Sequence, residues 1–133
     1  MASDWLRQHR DTIILLDSNA VLMLFEFSIN LEGELTGLFG KFKIMIPKTV
    51  INELTFLSEH GKGRKKLIAK PALKLIEKYD VVDTIGSGDE AILDLAKKLN
   101  CIVLTNDKKL RESLKKISLH SVYLRNKSKL VLE

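Results

Sequence analysis

Short apolar runs alternate along the chain with longer segments in which apolar residues recur at helical spacing. Runs of three to five residues have the length of buried strands, and their alternation with helical segments is typical of βαβ units around a parallel sheet. The pattern therefore predicts an α/β domain with helices between parallel strands. Five strands are predicted, at residues 13–16, 42–46, 81–84, 102–104 and 121–124.

Glycine and proline mark the predicted helix boundaries in the first half of the chain. Residues 19–40 are rich in Leu and Phe, and the glycines among them predict two short helices rather than one. Further along, a helix is expected to stop at Gly61 and Gly63. Pro71 fits the first turn of a fresh helix better than the interior of a continuous one. A break or kink is therefore expected at that proline.

Polar residues mark two helix starts in the second half of the chain. Ser87 and Glu90 have the spacing of a capping box, in which each side chain binds the backbone amide of the other residue. Thr105 or Asn106 is expected to cap a helix that begins at Asp107. Glu90 is accordingly interpreted as a capping residue rather than as a ligand.

Length and composition restrict the class of protein. The chain has 133 residues without a repeat or linker, so residues 1–133 are expected to form a single domain. Apolar residues make up 45% and charged residues 29%, the balance of a soluble protein. No apolar run approaches the ~20 residues that span a bilayer, and residues 1–10 lack the apolar stretch of a signal peptide. A cytoplasmic location without a membrane partner is expected, and Cys101 is expected to be a buried thiol.

The chain carries a net charge of +5, and its basic residues are clustered. A surface of this charge attracts polyanions. A solvated helix face would produce the same clusters, so charge alone does not identify a nucleic-acid-binding protein. The candidates for contact with phosphates are Lys62, Arg64, Lys65 and Lys66 in one cluster and Lys108 and Lys109 in another.

Four acidic residues are predicted to meet at one edge of the sheet. Asp17 directly follows the first predicted strand and Asp107 lies just beyond the fourth, and ligands bind at the carboxyl ends of strands in this fold class. Asp89 opens the helix after the third strand. Glu53 lies early in the helix after the second strand, where its carboxylate is expected to border the buried stripe. A lone acid of this kind is often a turn or helix-start residue, but that role does not explain four acids at one edge.

Carboxylates gathered in one place repel one another, and the pKa of at least one of them rises unless a cation binds. Mg²⁺ and Mn²⁺ prefer hard oxygen ligands, and Mg²⁺ usually keeps several waters and binds substrate phosphates. A bound divalent ion activates water for attack on phosphorus. The acids therefore predict phosphodiester hydrolysis that depends on Mg²⁺ or Mn²⁺.

At these acids the sequence resembles the PIN-domain nucleases, and the resemblance covers nearly the whole chain. It is carried by LDSNA at residues 16–20, IPKTVINEL at 46–54, GDEAI at 88–92 and LTNDKKL at 104–110. The resemblance implies a Rossmann-like, three-layer α/β/α fold with a five-stranded parallel sheet in the order 3-2-1-4-5, a Mg²⁺ or Mn²⁺ site, and RNA as substrate. By position, it implies that the metal-binding and catalytic acids are Asp17, Glu53, Asp89 and Asp107, with Thr105 and Asn106 as orienting neighbours and Ser18 and Asn19 as weaker candidates.

The leading hypothesis is a metal-dependent endoribonuclease. Within the family, residues 25–31 and 122–127 look more like the branch that processes ribosomal RNA than the toxin branch, so ribosomal RNA or its precursor is the expected substrate. A toxin-type PIN ribonuclease and a non-catalytic RNA-binding module in ribosome assembly are the alternatives. A homodimer is also considered, with residues 21–38 either forming the contact or covering the core. A phosphoacceptor receiver domain is disfavoured because Ser18, not a second acid, follows Asp17.

Overall fold

The structure is a computed structural model that describes residues 12–133, so the expectations for residues 1–10 lie outside the described part. The described residues form six strands and six helices. The strands are β1 (Thr12–Leu16), β2 (Phe42–Pro47), β3 (Asp80–Val82), β4 (Ile102–Leu104), β5 (Ser121–Arg125) and β6 (Lys129–Leu132). The helices are α1 (Ser18–Glu26), α2 (Leu31–Phe39), α3 (Lys48–His60), α4 (Gly63–Ile76), α5 (Gly88–Leu99) and α6 (Lys108–Lys116).

All six strands lie in one sheet with the order β3-β2-β1-β4-β5-β6. Strands β1 to β5 pair in parallel, which confirms the predicted order 3-2-1-4-5. The sixth strand was not predicted. It runs antiparallel to β5 after a tight turn in which Asn126 and Lys127 have φ values of 54° and 59°. Lysine is not a usual residue at such a position, so the turn left no clear signal in the sequence.

The centre of the sheet is covered on both faces. Ile14, Leu15 and Leu16 of β1 are all 0% exposed, although successive side chains of a strand point to opposite faces. Helices α1, α3 and α4 pack on one another, and α5 packs on α6. The right-handed sense of parallel crossovers places these two groups on opposite faces. The three-layer α/β/α architecture is thus confirmed.

Two helical predictions in the first half of the chain have different outcomes. Residues 18–39 do form two short helices, and α3 does end before Gly61. The break predicted at Pro71 is wrong, because α4 continues through that proline. Ala69 on one side of Pro71 and Ala72 and Ile76 on the other are all buried. Packing of this apolar face therefore holds α4 together although the proline supplies no amide hydrogen.

Both predicted caps need correction. Ser87 is the N-cap of α5, but its side chain makes no capping hydrogen bond, and Glu90 is exposed. The reason lies in Gly88, whose φ of 69° takes the first turn away from regular helical geometry. Helix α6 is capped by Asp107 itself, not by Thr105 or Asn106.

Residues 21–38 mainly cover the core of the chain itself. Val21, Leu24 and Leu35 are almost fully buried, and Leu38 is the more exposed apolar residue of the stretch. Strand β3 is shorter than predicted and ends at Val82. Cys101 is buried as expected, and burial raises the pKa of its thiol to about 12. None of the helices in the described part of the chain is both long enough and apolar enough to span a membrane.

Candidate active site

Asp17 lies where the strand order reverses, between β1 and its neighbour β4. The crevice beside such a reversal, at the carboxyl ends of the strands, is the usual ligand site of open α/β sheets. Asp17 is only 5% exposed. Its Oδ1 accepts a hydrogen bond from the amide of Ala20 at 2.7 Å, which caps α1, and its Oδ2 accepts one from the hydroxyl of Thr105. The chain therefore fixes both oxygens of this carboxylate.

Thr105 links the acids that follow β1 and β4. It is 0% exposed, and its hydroxyl donates to Asp17 Oδ2 while accepting a hydrogen bond from the amide of Asp107 at 3.0 Å. The backbone amide of Thr105 donates to the carbonyl of Val122 at 2.9 Å, which ties this segment to β5. One buried hydroxyl thus sets the position of Asp17 relative to Asp107.

Asn106 and Asp107 are held just as firmly. Asn106 pairs through its side chain with both backbone groups of Leu124: Nδ2 donates to the carbonyl at 3.0 Å and Oδ1 accepts from the amide at 2.6 Å. This side chain continues the pairing of β4 with β5 beyond the end of β4. Asp107 Oδ1 accepts from the amides of Lys109 and Leu110 at 2.9 and 3.3 Å, as the N-cap of α6.

Three of the predicted acids influence one another electrostatically. Burial raises the pKa of Asp17 to about 6, and the nearby charges of Asp89 and Asp107 raise it as well, against the hydrogen bonds from Thr105 and Ala20. Burial also raises the pKa of Asp89, and the charge of Asp107 adds to this effect, while Lys109 opposes it. Asp17, Asp89 and Asp107 are therefore near enough for their charges to act on one another.

The remaining polar candidates are placed differently. Glu53 is exposed on α3, and its neighbours Val50 and Leu54 occupy the buried positions of that helix. Glu53 is also not among the charges that act on Asp17 or Asp89. Ser18 is buried beside Asp17 as the first residue of α1, and Asn19 is exposed.

The acids offer the donor atoms of a hard divalent cation without forming a complete cage. Within residues 12–133, no three His, Cys, Asp or Glu side chains lie close enough together to hold a metal ion unaided. Asp17, Asp89 and Asp107 nevertheless fit Mg²⁺ or Mn²⁺ in chemistry, since all are carboxylates and one is buried with a raised pKa. Mg²⁺ usually completes its coordination with waters and substrate phosphates, so an open set of acids suits it.

The predicted phosphate-binding residues form two groups on the surface. Lys108 and Lys109 lie in the first turn of α6, and Lys109 is close enough to lower the pKa of Asp89. The second group lies around the start of α4 and is not among the charges that act on the acids. In that group Arg64 pairs with Glu26 of α1. All six side chains, Lys62, Arg64, Lys65, Lys66, Lys108 and Lys109, are exposed.

Comparison with known proteins gives consistent matches. The family model described as PIN like domain matches residues 14–127. Ribonuclease VapC9 of Archaeoglobus fulgidus is 30% identical over 133 residues, which cover 100% of this chain and 98% of the relative. Ribonuclease VapC4 of Methanocaldococcus jannaschii is 39% identical over 119 residues, or 86% of this chain and 91% of the relative.

Two solved structures agree with the fold. The PIN domain endonuclease Utp24 aligns with a TM-score of 0.74 and 22% identity over 91% of this chain and 90% of the other. The VapBC2 structure from Rickettsia felis, bound to a DNA fragment from its promoter, aligns with a TM-score of 0.58 and 19% identity over 80% of this chain and 93% of the other. At these identities the likeness concerns the fold alone.

Proposed function

The chain belongs to the family of PIN-like domains, and we propose that it is a metal-dependent endoribonuclease of that family. The observation that carries the proposal is the buried carboxylate of Asp17 at the reversal of strand order, with Asp89 and Asp107 near it. Burying an anion among like charges is unfavourable unless a cation compensates it. RNA is the proposed substrate because the relatives that are 30% and 39% identical are named ribonucleases.

In this proposal the acids bind the ion and position the reacting groups. When bound, Mg²⁺ or Mn²⁺ lowers the pKa of an attacking water and stabilises negative charge on the phosphate. Asp17 and Asp107 hold fixed positions through Thr105, and Asn106 keeps that segment attached to β5. In this proposal the exposed carboxylates of Asp89 on α5 and Glu53 on α3 join the site when the ion and the substrate bind. Ser18 and Asn19 follow Asp17 in the sequence and are weaker candidates for a part in the site.

The basic residues bind RNA phosphates in the same proposal. Lys109 lies close enough to Asp89 to influence its pKa, so its ammonium group belongs beside the phosphate at the acids. Lys108 is its neighbour on α6, and the group of Lys62, Arg64, Lys65 and Lys66 binds RNA farther along the strand. Each phosphate contact makes the affinity for RNA fall with salt.

The proposed chemistry fits more than one biological role. Processing of ribosomal RNA remains the role suggested by residues 25–31 and 122–127, with ribosomal RNA or its precursor as partner in the cytoplasm. The toxin-type alternative fits the matches equally, because both VapC relatives cover nearly the whole chain. Measured turnover tests the alternative of a non-catalytic RNA-binding module, and the mass in solution tests the homodimer.

Cleavage of defined RNA tests the proposal. Single-stranded and structured RNA are incubated with the protein and Mg²⁺, Mn²⁺ or a chelator, and the products are sized. We expect internal cleavage that needs the ion and is lost in Asp17→Asn. Glu112→Gln, an exposed acid on α6, is the matched control and keeps activity. The proposal fails if neither ion supports cleavage, or if Asp17→Asn cleaves as well as the control.

A further inference from the structure

One aromatic ring lies largely in solvent on α3. Phe56 is 61% exposed, while every other aromatic side chain in residues 12–133 is at least partly buried. The ring of His60, one helical turn further on, lies over it with the ring centroids 5.0 Å apart and a tilt of 43°. Because both residues are exposed, core packing does not explain this pair.

Phe56 and His60 share a face of α3 with the candidate acid Glu53. Residues three and four apart along a helix are neighbours on its surface, so Glu53, Phe56 and His60 form a line. The line is about 10 Å long at ~1.5 Å per residue. It starts two turns or less from the carboxyl edge, since α3 follows β2 directly, and it ends at the connection to α4.

The line of Glu53, Phe56 and His60 ends near the start of α4, which is basic. Lys62, Lys65 and Lys66 are exposed there, whereas Arg64 is already paired with Glu26. Glu59 Oε2 lies 3.8 Å from His60 Nε2. Proteins that bind single-stranded nucleic acid combine such rings, on which bases stack, with a basic groove along the backbone. A duplex would keep its bases stacked inside and could not use the rings.

We propose that this face of α3, with Phe56 and His60, and the lysines at the start of α4 form a subsite for single-stranded RNA on one side of the cleaved bond. A base stacks on Phe56 and His60, and the phosphates that follow contact Lys62, Lys65 and Lys66. The proposal rests on the proposed function in that the same strand reaches the acids. A second copy of this chain is a poorer occupant, because it would bring two lysine clusters of the same charge together.

Binding can be measured without cleavage. In the Asp17→Asn background, the affinity for a labelled single strand of about a dozen nucleotides is measured with Phe56→Leu and Phe56→Trp. Leucine keeps an apolar side chain but removes the ring, and we expect binding about tenfold weaker. Tryptophan keeps a stacking surface and keeps the affinity. Leu67→Ala, a 77% exposed apolar residue of α4, is the matched control and is expected to bind like the parent.

Kinetics in the otherwise unchanged protein give a second readout. Phe56→Leu is expected to raise KM about tenfold for the long strand with kcat retained, whereas Leu67→Ala is expected to change neither constant. The subsite is rejected if Phe56→Leu binds RNA as tightly as the parent. If Phe56→Leu and Leu67→Ala also weaken self-association in that case, the surface is a contact between two copies of this chain. If the protein binds RNA through Phe56 but cleaves none, the proposed ribonuclease activity fails and the subsite stands.

Discussion

The four candidate acids fall into two pairs that differ in how firmly the protein holds them. Asp17 and Asp107 accept backbone hydrogen bonds and are joined through the buried hydroxyl of Thr105. Asp89 and Glu53 are exposed, and no hydrogen bond from another side chain or amide in residues 12–133 reaches their carboxylates. One pair is therefore fixed before any ligand arrives, and the other is free to adjust.

The two pairs of acids differ in how the protein controls the position of the carboxylate and its charge. Fixed carboxylates offer preorganised oxygens, but the burial that fixes Asp17 also disfavours its ionised form. Exposed carboxylates hardly change the free energy of unfolding, and they can move with an ion and a substrate as these bind. Changes in the fixed pair should therefore alter both stability and activity, whereas changes in the free pair should alter activity alone.

The largest effect is expected for Asp17→Asn. Asparagine is an equally good N-cap, so α1 should persist while the negative charge is lost. We expect cleavage in Mn²⁺ to fall by roughly a hundredfold or more, as is common when one electrostatic group of an active site is removed. Single-turnover rates measure this. A Glu53→Gln variant that loses more activity than Asp17→Asn would reverse the ranking of the two pairs.

A pH-dependent effect on stability is expected from the same residue. The pKa of Asp17 is raised from 3.8 unfolded to about 6 folded, so the folded state binds its proton more tightly. Its favourable contribution is complete below pH 3.8 and is lost as the pH rises through about 6. Without metal, Asp17→Asn should therefore be more stable than the parent above pH 6, by up to about 3 kcal/mol. Urea unfolding at pH 4 and pH 7.5 tests this, and a difference that does not grow with pH would contradict it.

A smaller loss is expected for Thr105→Val. Valine has a similar shape but leaves an oxygen of Asp17 and the amide of Asp107 without their partner, which costs about 1–3 kcal/mol. Activity should fall roughly 10- to 100-fold, the usual effect of losing a group that orients a metal ligand. Thr105→Ser keeps the hydroxyl and should recover most of the activity. Unchanged Mn²⁺ affinity in Thr105→Val would show that the hydroxyl does not position the acids.

The smallest effect on stability is expected for Glu53→Gln. Glu53 is exposed and accepts no hydrogen bond within residues 12–133, so its substitution should change the free energy of unfolding by less than about 0.5 kcal/mol at any pH between 4 and 8. The cleavage rate of Glu53→Gln in Mn²⁺ should still fall, because the carboxylates of the free pair act on the ion and the substrate and do not stabilise the fold. Thermal melts alongside cleavage rates measure both, and a marked loss of stability would show that Glu53 is not free.

The sequence was sufficient for the parts of the molecule that depend on local pattern. Apolar runs such as Ile13 to Leu16 give the strands, and Asp17 and Asp107 follow strands that adjoin each other. The sixth strand was missed because its turn uses Lys127 at a positive φ, and α4 was divided at Pro71 because tertiary packing outweighs the lost hydrogen bond. These features depend on contacts between distant residues, which a pattern of neighbours does not contain.

The details of the site likewise depend on tertiary contacts. Thr105 was predicted as an orienting neighbour, but its two simultaneous hydrogen bonds require the backbone to place Asp17 and Asp107 on either side of it. The exposure of Glu53 and Phe56 follows from the way α3 faces the sheet, which residue spacing alone left ambiguous. The choice of acids came from the sequence, whereas the division into a fixed and a free pair came from the structure.

Anomalous diffraction from a crystal soaked in Mn²⁺ measures whether the acids bind a metal ion. We expect a manganese peak at the carboxyl edge of β1 and β4, with carboxylate oxygens of Asp17, Asp89 and Asp107 as ligands, and no such peak in Asp17→Asn crystals soaked in the same way. A peak bound elsewhere on the chain, or a peak that persists at full height in Asp17→Asn, would contradict it.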